Sequence, residues 1–140
     1  MRNYLYRTAL ILLCIILISG RSDTISIDCT DNISIDCPAI PFHEISAVSV
    51  VNGQNGQMFT IDNNTSVETI IDEIRSYTQL KGSPADNSMN GYLYTLKLID
   101  NRGTPIETIC LISTHSVRVG EVVLSVYCGN LSDYLSAFES

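Results

Sequence analysis

The sequence predicts an α+β fold: an antiparallel sheet of about five to six strands packed by one main helix, with a short C-terminal helix, arranged as a two-layer sandwich. Three observations predict it. Short runs with apolar residues at every second position recur between residues 44 and 128. One segment between them changes to a period of three to four. The connections among the last four runs are short, which makes neighbouring strands antiparallel. Residues 44–140 suffice for one modest core and so for one domain.

Glu44–Val51 (EISAVSVV) is rich in β-branched residues and reads as the first strand. Asn52-Gly53-Gln54-Asn55-Gly56 offers two Asn-Gly pairs suited to a hairpin turn. Gln57–Asp62 is the return strand, with Phe59 and Ile61 on one face. Val67, Ile70, Ile71, Ile74 and Tyr77 then recur at helical spacing, and Thr65 three residues before Glu68 forms a capping box that starts the helix. Lys81–Gly91 is a polar loop. Tyr92–Asp100 (YLYTLKLID) alternates with Tyr92, Tyr94, Leu96 and Leu98 on one side. Ile106–Ser113, His115–Val119 and Val122–Cys128 complete the sheet as a meander. With tight turns at Ser113-Thr114 and Gly120-Glu121, Cys110 falls opposite Val117 and Val117 opposite Leu124. A last helix is predicted over Asn130–Phe138, capped by Asn130 and burying Leu131, Tyr134, Leu135 and Phe138.

Ahead of this domain lie two segments. Met1–Arg7 is short and basic, Thr8–Ile18 is an eleven-residue run dominated by Leu and Ile, and Ser19-Gly20 are small. These are the three parts of a signal peptide, so residues 1–20 are read as an export leader. The run is short for a bilayer span, and an uncleaved leader is the other reading. Residues 21–43 read as a linker built on a duplicated octapeptide, with ISIDC at 25–29 and again at 33–37 before Pro38 and Pro41. The linker residues Asp28, Asp31 and Asp36 lack the ligand pattern of a calcium loop.

Charge and cysteine use bound the function. The chain carries 15 acidic against 8 basic side chains, a net of −7. Beyond the leader only Arg21, Arg75, Lys81, Lys97, Arg102 and Arg118 oppose the same acids, a sign that disfavours nucleic acid as a partner. A composition with 45% hydrophobic residues also excludes a disordered chain. Cys29, Cys37, Cys110 and Cys128 follow the leader, at spacings that match no zinc motif. The meander register places Cys110 and Cys128 on one face but too far apart to bridge, so both are read as free thiols packed as small hydrophobes. Cys29–Cys37 is sterically open if the repeat folds back. Sequons at Asn32, Asn63, Asn64 and Asn130 matter only in a eukaryotic secretory route.

Ile18-Ser19-Gly20 resembles the opening of a bacterial lipobox, with Arg21 where the lipidated Cys would stand. Asn52-Gly53, Gly56, Thr60-Ile61-Asp62, Gly91-Tyr92, Tyr94, Leu96, Asp100 and Gly103 resemble the frame of small exported domains of Gram-positive lipoproteins whose activity is undefined. The resemblance implies a fold and an extracytoplasmic location, secreted or attached to the outer face of the membrane through the leader alone.

No motif for a nucleophile, a phosphate loop or a cofactor is present, so no catalytic, cofactor-binding or metal residue is predicted. His43 and His115 read as surface residues. The first reading of function is a non-catalytic cell-envelope domain that binds a protein or small ligand, with Tyr92 and Tyr94 as a possible aromatic platform. The alternative placement for those two residues is the core. A second reading is a secreted inhibitor presenting the 81–91 loop, and a third is a hydrolase using Cys110 with His115.

Overall fold

Alternation in ISAVSVVN sends Val48 and Val50 to one side of strand β1 (Ile45–Asn52), and the same side of β2 (Met58–Ile61) carries Ile61. A computed structural model describes residues 34–86 and 91–139. The expected leader over residues 1–20, Arg21 and the first copy of the repeat lie outside the described residues. Asn52 organises the β1–β2 turn. Its Oδ1 accepts from the amides of Gln54 (2.7 Å) and Asn55 (3.3 Å), and Gly56 supplies the positive φ of 72°.

Helix α1 (Asn64–Thr78) buries Val67, Ile70, Ile71, Ile74 and Tyr77, as the period predicts. Its cap is Asn63 rather than Thr65. Asn63 has extended backbone, and its Oδ1 accepts from Ser66 N at 3.1 Å. Thr65 already lies inside the first turn, where its carbonyl accepts from Thr69 Oγ1. A cap of this kind contributes about 1 kcal/mol.

Strands β4 (Tyr94–Asp100), β5 (Pro105–Ser113), β6 (Ser116–Val119) and β7 (Val122–Ser125) form the expected meander. Lys81–Gly91, read from the sequence as a loop, supplies a further strand, β3 (Ser83–Pro84), which pairs with β7. The α+β class is therefore observed, but with a sheet of seven strands rather than five to six, in the order β2-β1-β4-β5-β6-β7-β3 and antiparallel throughout. Two residues, one of them proline, carry no alternation to read. Proline is tolerated at an edge because its missing N–H has no partner to lose.

The β5–β6 register differs by one residue from the expectation. The turn is Thr114-His115, with Ser113 opposite Ser116, which alone would move the register by two; an irregularity between Leu111 and Ser113 takes one residue back, so Leu111 faces Val117 and Cys110 faces Arg118. Val117 does lie opposite Leu124. A one-residue shift moves a side chain to the other face. Cys110 and Cys128 therefore do not share a face: Cys110 points away from the core, while Cys128 belongs to it.

The second helix, α2 (Gly129–Ser136), begins one residue earlier than predicted and ends before Phe138. Asn130 lies within it and does not cap it. Cys128 occupies the cap position, and its thiol donates to Ser113 O at 3.0 Å. Leu131 and Leu135 are buried, and Phe138 stacks on Phe59 with ring centroids 6.4 Å apart. All these groups join one core cluster with Leu96, Leu98, Ile109, Leu111, Val119 and Leu124.

The described part of the expected linker packs against this body. Ile35 exchanges backbone hydrogen bonds with Gly82 (2.8 and 2.9 Å), and Ile35, Cys37, Ile40 and Phe42 pack on the core cluster. A 3₁₀ turn at Phe42–Glu44 leads into β1, and the Arg75 guanidinium sits 5.1 Å from the Phe42 ring centre. Among the described residues no helix is long and apolar enough to cross a membrane.

Candidate functional site

Strand alternation fixes what the other side of the sheet displays. Both helices bury their apolar sides against the inward residues, so neither covers the outward ones. One row runs across all seven strands in register: Met58, Val51, Thr95, Cys110, Arg118, Val123 and Ser83. A second row places Thr60, Ser49, Lys97 and Thr108 side by side. These rows combine small hydroxyl and β-branched residues with two cations; Met58 at one edge is 68% exposed and Lys97 is exposed, while Cys110 and Val123 are buried beside Arg118.

Those cations are the distinctive feature. The ion pairs among the described residues join Arg75 to Asp72 (2.8 Å) and His43 to Glu44 (3.6 Å), and neither Lys97 nor Arg118 takes part. Arg118 donates a long contact to Cys110 Sγ at 3.7 Å, and Thr95 Oγ1 lies 3.8 Å from the same sulfur. Arg118 lines a shallow depression of about 260 Å³ with Thr108, Cys110 and Ala85, and Glu107 and Glu121 form part of its wall. The Glu107 carboxylate is engaged locally, accepting from Thr108 N at 2.8 Å. Alternation in YLYTLKLID already puts Lys97 outward, so the sequence held a signal for it. Alternation in HSVRV likewise turns Arg118 away from Val117 and Val119; what the register shift hid is its place opposite Cys110.

Cys110 and His115 have separate partners. His115 occupies the β5–β6 turn, with Nδ1 3.0 Å from Thr114 Oγ1 and its ring edge-on to Tyr127. Burial pushes the Cys128 thiol up, away from the reactive thiolate. Cys37 is raised too, by burial first and by the Glu107 charge second. Cys37, Cys110 and Cys128 are free thiols, and among the described residues no group of His, Cys, Asp and Glu could hold a metal ion.

Tyr92 and Tyr94 do not form one surface. Tyr92 precedes β4 and is 41% exposed, whereas Tyr94 is 6% exposed and turned into the core. The Tyr94 hydroxyl donates to Glu139 Oε1, which also accepts from Asn52 Nδ2 at 2.8 Å. This clasp ties the chain beyond α2 to the ends of β1 and β4, a long-range pairing with no local sequence signal. Burial chiefly, then the hydrogen bond to Glu139 and the charges of Glu139 and Asp133, push the Tyr94 phenol up to about 12. The folded state therefore holds this proton more tightly than the unfolded chain. That stability is fully present below about pH 10, the ordinary tyrosine value, and is lost as pH rises through about 12. Thermal melts between pH 9 and 12 should show Tm falling, and Tyr94→Phe should flatten the fall. Tyr77, also raised by burial and by its bond to Glu73, retains part of it.

A larger depression of about 390 Å³ lies between the 3₁₀ turn and α1, lined by Phe42, Ile45, Val67, Glu68, Ile71 and Arg75 among others. The Asp72 carboxylate beside it already pairs with Arg75. Comparison with protein-family models, curated protein sequences and solved structures finds no match.

Proposed function

We propose that the protein is an exported, non-catalytic binding domain of the cell envelope, whose recognition surface is the open face of the sheet. In this reading it is a two-layer sandwich: the helical layer seals one side, and the other presents itself to a partner. The observation that carries the reading is the pair Lys97 and Arg118, lying on that face with no ion-pair partner among the described residues, in a chain of net charge −7. An acidic protein that presents two cations, with no ion pair to them among the described residues, amid small hydroxyl residues is suited to a protein or small ligand with a carboxylate or phosphate group. Two cations are too few for a nucleic-acid backbone, and the surrounding charge opposes it. The Cys110–His115 hydrolase draws no support from the contacts of either residue, since Cys110 meets Thr95 and Arg118 instead.

The test is titration of the isotopically labelled full chain with inorganic phosphate, a polyglutamate peptide and an anionic envelope extract. Amide shifts are expected at Thr95, Lys97, Thr108 and Arg118, with at least about tenfold weaker binding in the Lys97→Glu/Arg118→Glu double variant. Shifts confined to the depression beside α1, or undiminished binding in the double variant, would overturn the reading.

A further inference from the structure

Residues 33–37 and 25–29 have the same sequence, ISIDC, and the structure describes where residues 34–37 lie. Ile35 N donates to Gly82 O at 2.8 Å and Gly82 N donates to Ile35 O at 2.9 Å. The Ile35 side chain packs on the core, and two residues on, the half-buried Cys37 lies near enough to Glu107 to feel its charge. Backbone bonds are blind to sequence, so what this seat selects is an extended segment with Ile at the bridge and a small thiol two places later. Ile27 and Cys29 reproduce both at the same spacing.

We propose that the two copies compete for this seat within one molecule, by an eight-residue slip of the chain that replaces Ile35 by Ile27 and Cys37 by Cys29. Register is weakly held where alternative pairings satisfy the same contacts, and an exact repeat supplies such a pairing. The seated chain passes from Cys37 to Ile40 in three residues, and after the slip Cys29 would reach Ile40 in eleven. Loop-closure entropy grows only with the logarithm of length, so that longer path disfavours the first copy by about sevenfold. The Pro38 ring, which lies beside Gly120, is lost from its place as well. The second copy is therefore the principal occupant and the first a minor one. The slip exchanges which thiol is sheltered, and it shortens the stretch ahead of the domain by eight residues.

Pulsed alkylation of the full chain in reducing buffer, followed by peptide mapping, tests this. In the native chain Cys37 should label more slowly than Cys29. In Ile35→Asp, Cys29 should become several-fold slower to label while Cys37 reaches the rate of an unfolded thiol. In Ile27→Asp/Ile35→Asp both should label at that rate. Cys128, wholly buried, reports that each variant is folded, and Ile35→Thr gives a milder form of the same test. The proposal is overturned if Cys29 stays fully reactive in both single variants while Cys128 remains protected. Protection of Cys29 that rises with protein concentration would also overturn it, because the occupant would then be a segment of a second copy.

Discussion

Ile70→Ala is expected to lower the unfolding free energy by about 3 kcal/mol, read as a fall in urea midpoint at unchanged slope. Ile70 is wholly buried in the cluster that joins α1 to the sheet. Truncation loses the transfer energy of the removed methyl and methylene groups and leaves a cavity, together worth about 2–5 kcal/mol. Alanine favours a helix over isoleucine by a few tenths of a kcal/mol, which offsets little of the loss. The neighbouring Thr69 is exposed and bonds only its own helix, so Thr69→Ala should stay within about 0.5 kcal/mol of the parent. Equal effects at the two positions would mean that α1 does not seal the sheet through this face.

Gly82→Ala should cost a comparable amount, about 3 kcal/mol, for a different reason. A Cβ at this position would run into Val122 Cγ1, lie 2.6 Å from the Val123 carbonyl oxygen and 2.9 Å from Leu124 Cδ2. The carbonyl belongs to a paired strand and cannot swing aside. To admit the methyl group, β3 must lift from β7, which breaks the Ser83–Val123 and Pro84–Val122 pairing. The two Gly82–Ile35 hydrogen bonds go with it, so Cys37 should alkylate faster in this variant. Ser83→Ala, at an exposed position one residue on, is the control and should be nearly neutral. Denaturation curves and alkylation rates on the same samples check both parts.

What was legible in the sequence followed from periodicity. Every α1 residue expected inside is inside, because five apolar residues at helical spacing leave one way to bury them. The inward set of β4 from Tyr94 onward was equally readable from alternation. Features made by pairing distant segments were not readable. The strand at Ser83–Pro84 exists only because β7 offers its edge, and the clasp of Glu139 with Tyr94 and Asn52 joins residues 45 and 87 positions apart. The β5–β6 register missed by one for two reasons: Ser113, Thr114, His115 and Ser116 are all acceptable in a turn, so composition could not choose between adjacent pairs, and the irregularity between Leu111 and Ser113, which flips the parity, has no local signature. That net step set Cys110 opposite Arg118 and separated it from the core side. The candidate site was thus half visible: alternation turns Lys97 and Arg118 outward, but only the observed pairing sets Arg118 opposite Cys110. Alternation turns Tyr94 inward, but local pattern does not announce the carboxylate at the far end of the chain that accepts from its hydroxyl.

The strand order also governs when the chain can become a folded object. The first elements to leave the ribosome, β1, β2, α1 and β3, occupy the two margins of the sheet, because α1 carries the chain from β2 at one border to β3 at the other. The middle of the sheet is synthesised last, and β3 has no partner until β7 is made. A nascent chain stopped at residue 90 would hold two borders with nothing between them, and its contacts of greatest sequence separation come only at the end. Delayed closure of this sort keeps β1 to β3 threadable until β7 has been made, the state that a narrow channel would require for the export proposed above.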